Sequence, residues 1–107
     1  MSGNALCLTQ RRLTNDHYLE LALRDAREVY KPPITLSRFW KKIDEYDDPD
    51  SHLDEILKWL DRQAEIGDYV VIEGDQRFTD RIRDYCKEHR LIPVTAVWEP
   101  SPAIRNL

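Results

Sequence analysis

Four consecutive bulky residues, Tyr69-Val70-Val71-Ile72, run without a polar interruption. A strand of that kind is buried on both faces, which in a small chain requires a parallel sheet covered by helices. The residues that follow tighten the constraint. Glu73-Gly74-Asp75-Gln76-Arg77 breaks the run, and Phe78, Ile82, Tyr85, Cys86 and His89 then recur at helical spacing. After Pro93, Val94 to Trp98 reads as a further strand. Strand, helix and strand in that order predict a parallel pair joined by a right-handed crossover.

The rest of the chain extends the same pattern. Ala5 to Thr9 is a short apolar strand opening into Gln10-Arg11-Arg12. Thr14 can cap a helix whose apolar face is Leu19, Ala22, Leu23 and Ala26, at i, i+3, i+4 and i+7. Val29-Tyr30 reads as a brief strand ended by Pro32-Pro33, and Thr35 as the cap of a short helix carrying Phe39, Trp40 and Ile43. Asp44 to Asp50 is acidic, but it lacks the glycine and spacing of a calcium loop and is read as a solvated lead into the next helix. In that helix Leu53, Ile56, Leu57, Leu60 and Ala64 form one stripe, which Gly67 is expected to end. Residues 99–107 contain two prolines and no period, and read as a tail. The expected fold is therefore α/β: one domain over 1–107, with about four parallel strands in the order 2-1-3-4 and helices on both faces.

Composition narrows the function. Sixteen Lys and Arg stand against 20 Asp and Glu in 107 residues, a net charge of -4. That argues against a duplex-DNA binder while leaving room for a locally basic cleft. No apolar run is long enough for a signal peptide or a membrane span, so a cytoplasmic location is expected. Cys7 and Cys86 are far apart and read as free buried thiols; with His17, His52 and His89 they match no zinc spacing, and neither metal nor cofactor is expected. Neither GxGxxG nor GxxxxGK[ST] occurs, which disfavours a dinucleotide or ATP enzyme.

In a doubly wound sheet the ligand sits beyond the carboxyl ends of the strands, where the winding reverses. Here that place falls between Thr9-Gln10-Arg11-Arg12 and Glu73-Gly74-Asp75-Gln76-Arg77. Arg11, Arg12 and Arg77 can offer guanidinium forks to phosphate, Gly74 permits a close backbone approach, and the following helix aims N–H groups at the same space. Asp75 also suits an ordinary helix N-cap. His17 and His52, near helix starts, are expected at the surface, and His89 to pack near a helix end. Trp40, Trp59 and Trp98 read as packing anchors, although Trp98, at the carboxyl end of the last strand, could instead stack on a base.

Several segments carry a family resemblance: Leu8-Thr9-Gln10-Arg11-Arg12-Leu13-Thr14, Phe39-Trp40 through Ile43, Trp59-Leu60, Gly67-Asp68-Tyr69-Val70-Val71-Ile72-Glu73-Gly74-Asp75 and Leu91-Ile92-Pro93-Val94. Over about residues 6–97 the chain resembles a small stand-alone family of type III CRISPR accessory proteins, one of the Csx families. The resemblance implies a Rossmann-like fold related to the CARF domains that sense cyclic oligoadenylate. It implies a homodimeric ring nuclease that binds that second messenger, such as cyclic tetra-adenylate, and opens it without a metal, ending an antiviral signal. In this frame Arg11, with Arg12 and Asp75, would carry catalysis. Thr9, Gln10, Arg11, Arg12, Glu73, Gly74, Asp75, Gln76 and Arg77 would line the ligand site.

The chain also departs from that family. Asn-His is common where Gln10 and Arg11 stand, Gln where Glu73 stands, a small glycine-containing segment where Gln76-Arg77-Phe78 stands, and threonines where Val97-Trp98 stands. The altered first loop motivates one alternative, a sponge that holds the messenger without cutting it. The acidic charge and the lack of a strong catalytic motif motivate another, a small Rossmann-like interaction domain with no nucleotide ligand.

Overall fold

The computed structural model describes residues 3–107; positions 1 and 2 of the expected single domain lie outside the described residues. The elements are β1 (Gly3–Thr9), α1 (Asn15–Leu23), β2 (Ala26–Tyr30), α2 (Ile34–Lys41), a 3-10 turn (Ile43–Glu45), α3 (Pro49–Gln63), β3 (Tyr69–Glu73), α4 (Gln76–Glu88), β4 (Ile92–Val97) and β5 (Ala103–Asn106). They form one sheet in the order β2-β1-β3-β4-β5. The first four strands are parallel, and β5 runs antiparallel to β4. The α/β class, the helices on both faces and the 2-1-3-4 order thus stand, in a small Rossmann-like fold.

The strand count is corrected to five. The expected tail carries β5, which pairs Ala103 to Asn106 with Val97 to Val94. Its single buried residue, Ile104, leaves no alternation to read. Further boundaries move: the last parallel strand starts at Ile92 and ends at Val97, and Ile43 falls in the 3-10 turn beyond α2. The α3 helix ends at Gln63, with Gly67 in a turn at φ 91° rather than as the helix cap, and α2 starts at Ile34 without Thr35 as its cap.

Alternation along β1 divides the core. Leu6 and Leu8 face a large cluster with Phe39, Trp40, Ile56, Leu60, Val70, Ile72 and Ile82, contributed by β3 and by α2, α3 and α4. Ala5 and Cys7 face a smaller cluster with Leu21, Val71, Val94 and Ile104. Among the described residues α1 is the one helix on that second face, and it covers it with a different set of residues from the expected stripe. Leu21 and His17 are completely buried, whereas Leu19 and Leu23 are exposed. Ala26, the last residue of the expected stripe, is already in β2.

His17 is therefore a core residue and not a surface one. Its Nδ1 accepts from the Thr14 N–H at 3.0 Å, so the ring proton sits on Nε2, which donates to the Val97 carbonyl at 2.7 Å. Both thiols are buried and free as expected, and burial pushes Cys7 and Cys86 up to about 12. His89 is exposed at the end of α4 but packs as expected, stacked on Tyr85 at 3.9 Å.

Candidate anion-binding cleft

The register sets which strand ends share a site. Thr9 lies abreast of Glu73, so β1 and β3 end together at the reversal point. The edge strand stops earlier: Tyr30 pairs with Leu6, and Pro32, which lacks an N–H, prevents further pairing. Lys31 and Pro32 consequently run alongside the exposed end of β1 and leave a gap there.

The gap between β1 and β3 is closed. One Glu73 carboxylate oxygen accepts from the Gln10 N–H at 2.9 Å and from the Arg11 N–H at 2.8 Å. The Gln10 amide donates to the Trp40 carbonyl at 3.1 Å, and the Trp40 indole N–H donates to the Glu73 carbonyl at 3.0 Å. Gly74, at φ 155°, sits under this bridge. A Cβ there would meet the Gln10 side chain at 3.0 Å and Trp40 at 3.1 Å. The glycine is explained by packing against the protein's own side chains.

The second loop is occupied in a similar way. Asp75 is the N-cap of α4, accepting from the Arg77 N–H at 2.9 Å, and its carboxylate holds the Arg77 guanidinium at 3.1 and 2.8 Å. The Arg77 side chain lowers the Asp75 pKa below its ordinary value and is itself raised by that carboxylate. Gln76 donates to Asp80 at 2.7 Å. Glu73, Gly74 and Gln76 line a separate hollow of about 210 Å³ together with Thr79, Asp80 and Arg83.

The open cleft lies on the other side of β1, toward β2 and α2. Its volume is about 180 Å³, and its walls include Cys7, Thr9, Arg11, Arg12, Tyr18, Lys31, Ser37, Trp40 and Lys41. Of the nine residues expected around a ligand, it brings together Thr9, Arg11 and Arg12. Gln10 and Glu73 act from behind, as the tie that shapes the loop. Gly74, Asp75, Gln76 and Arg77 are not in its walls.

Four side chains that the sequence did not single out join it: Lys31 from the end of β2, Ser37 and Lys41 one turn apart on α2, and Tyr18 from α1. The signal for Lys31 was its place after a strand that ends at the same edge of the sheet. Among the described residues the walls hold no carboxylate, and no ion pair engages Arg11, Arg12, Lys31 or Lys41. A chain of net charge -4 thus concentrates four cations around one cleft. Such a site attracts anions despite the opposite global sign.

The Arg11 guanidinium lies over the Trp98 ring, 4.2 Å from its centroid. Trp98, just past the end of β4, meets the His17 ring edge-on at 4.8 Å. In the cleft wall Cys7 is a neutral thiol, its pKa raised by burial, and burial first, then Cys7, also raises the Tyr18 phenol. Among the described residues, no three His, Cys, Asp or Glu side chains come together as metal ligands, and no helix is long and apolar enough to cross a membrane.

The family model described as "Uncharacterized protein MJ1673 family" matches residues 4–99. The "Uncharacterized protein MJ1673" of Methanocaldococcus jannaschii is 31% identical over 94 residues, covering 81% of this chain and 69% of that protein. No solved structure matches the chain. The matched span takes in the whole cleft.

Proposed function

The chain belongs to the MJ1673 family, and from the charge of its cleft we propose that it binds cyclic oligoadenylate and opens the ring, acting as a ring nuclease of type III CRISPR signalling in the cytoplasm. The observation that carries this reading is the set of four unpaired cations, Arg11, Arg12, Lys31 and Lys41, around one cleft at the carboxyl edge of the sheet. Phosphate is the anion that such a cluster suits best, with the planar forks of Arg11 and Arg12 able to engage two oxygens each. The CRISPR accessory resemblance supplies the nucleotide ring.

Cleft size bears on the assembly. About 180 Å³ is below the roughly 300 Å³ at which sites for drug-sized ligands begin. One cleft accommodates a phosphodiester step and not a whole ring. A homodimer would set two clefts around one two-fold symmetric ligand.

The chemistry asks for position and charge. The 2′-hydroxyl of one ribose attacks the neighbouring phosphorus, a new P–O2′ bond forms and the P–O5′ bond breaks. The proton lost from the 2′-hydroxyl is balanced by the one gained by the departing 5′-oxygen, leaving a 2′,3′-cyclic phosphate end. Arg11, backed by Arg12, stabilises the charge that builds on the phosphoryl oxygens. Asp75, with its carboxylate held by Arg77 and the α4 cap, serves the scaffold in this reading.

A second reading has its own observation. The cleft wall offers a protonated thiol and a raised phenol, and His17 is locked onto Val97. With no free carboxylate or imidazole among the described wall residues, binding without cutting is the natural alternative.

Incubation with cyclic tetra-adenylate in EDTA, followed by mass spectrometry, separates the readings. Linear product ending in a cyclic phosphate is expected, and Arg11→Ala is expected to slow its formation about 10²- to 10³-fold. Intact ring held by the protein identifies a sponge. Intact ring left free, with cyclic tri- and hexa-adenylate also ignored, leaves a domain that acts through protein contacts.

A further inference from the structure

We propose that Trp98 is a base-stacking platform whose face Arg11 covers until a phosphate draws the guanidinium into the cleft. The proposal rests on the nucleotide reading above and adds to it an order of events and a recognition element for the base.

Three features carry it. Arg11 does two things at once: it lines the cleft and its guanidinium covers the Trp98 ring at 4.2 Å. An exposed arginine on an indole face is held by a modest attraction. A charge-assisted, two-pronged contact to phosphate is stronger and competes for the same group.

Trp98 is also placed as a fixed surface. It follows β4 directly, and its ring edge is set by His17, which is fully buried and bonded to the carbonyl of Val97, the residue before Trp98. The other two tryptophans, Trp40 and Trp59, are 1% and 5% exposed and belong to the core. Trp98 is only half-buried, and its face is reached from the cleft through Arg11, which lines the cleft and lies over the ring.

The backbone of Arg11, finally, is pinned. Its N–H is held by Glu73 at 2.8 Å, so movement of the guanidinium between the indole and the cleft is a change of side-chain rotamer with the loop in place. When the guanidinium leaves, the indole face is free for the purine next to the bound phosphate. Phosphate and base are thereby recognised together, and a phosphate without a base gains only the first contact.

The test uses adenosine 5′-monophosphate and ribose 5-phosphate, which differ by the base alone. Calorimetry on the intact protein is expected to give adenosine monophosphate at least about tenfold the affinity of the sugar phosphate, in line with the stacking of one base. Trp98→Ala is expected to erase that advantage while ribose 5-phosphate binds at least as tightly as before, the competing indole being gone, and Trp98→Phe, which keeps a ring against His17, to retain part of it. Acrylamide quenching reads the cover itself, because Trp98 is the accessible tryptophan. Ribose 5-phosphate should increase quenching, adenosine monophosphate should decrease it, and Arg11→Ala should raise it with no ligand present.

Equal affinities for the two ligands in the unaltered protein, or an advantage that survives Trp98→Ala, overturn the platform. Quenching that ribose 5-phosphate leaves unchanged overturns the cover. If Trp98→Ala opens cyclic tetra-adenylate at the unaltered rate, the platform fails while the ring-nuclease reading stands; if the unaltered protein binds neither the two ligands nor the ring, both fall.

Discussion

Glu73 ties two strands together with a single carboxylate oxygen. It receives the N–H groups of both Gln10 and Arg11, which would otherwise point into the reversal point as donors for a ligand. The same contact fixes where Arg11 begins its reach toward the cleft and Trp98. Because hydrogen bonds to a charged acceptor are the stronger kind, Glu73→Ala should cost about 1.5–3 kcal/mol. Glu73→Gln should recover part of this, since an amide oxygen still accepts. Urea unfolding of the three proteins measures the difference, and an unchanged midpoint for Glu73→Ala would mean that the carboxylate does not hold the loop. The residues drawn from the sequence as ligand contacts divide along the same line. Thr9, Arg11 and Arg12 stand at the cleft because they leave β1 on its open side. Asp75 and Arg77 are held by each other, a pairing two residues apart that charge counting alone does not reveal.

At the level of elements, α1 gives the sharpest test. Its sequence contains two interleaved sets at helical spacing, Leu19 with Ala22 and Leu23, and His17 with Leu21. Hydrophobicity favours the first, and the fold uses the second. Leu21→Ala should therefore cost about 2–5 kcal/mol through a core cavity, and Leu23→Ala should stay within about 0.5 kcal/mol. Thermal or urea unfolding of both variants checks the assignment; equal losses would contradict it. The reason lies outside α1, in the Thr14 N–H and the Val97 carbonyl, which give His17 a donor and an acceptor inside the protein. The β3 strand and the α3 and α4 stripes were legible because burial on one side is written into their own residues. Strand β5 was not, because four residues with one buried side chain carry no period. Lys31 and Lys41 were not, because they join Arg11 and Arg12 only once β2 is laid beside β1 and α2 is packed over it.

Across the whole molecule the helices are unevenly shared, three on one face of the sheet and α1 alone on the other. Each face buries one thiol, Cys7 and Cys86, both pushed up to about 12 from an ordinary value of 9.0. In the unfolded chain these thiols ionise near the ordinary value, while in the native protein they remain protonated. The stabilising difference is fully present below about pH 9 and is lost as pH rises through that value toward 12. Unfolding free energy should fall over that alkaline range and recover in part when both positions are Ser or Ala with the fold retained. A thiol reagent at neutral pH should leave both cysteines unlabelled until denaturant is added.

The lone helix has one more consequence. Arg24 reaches the Ile104 carbonyl and Asn106, Glu20 receives the Ile104 N–H, and His17 holds Val97, each across 80 to 84 positions of sequence. The polar contacts that hold α1 therefore close loops of 80 to 84 residues, and the entropy of closure grows with the logarithm of loop length. By contrast, β3, α4 and β4 assemble through neighbours. Leu21 can pack early on Ala5, Cys7 and Ala26, but the polar contacts that lock α1 in its seat wait until β4 and β5 have come together, so the first helix in the sequence is among the last to be fixed.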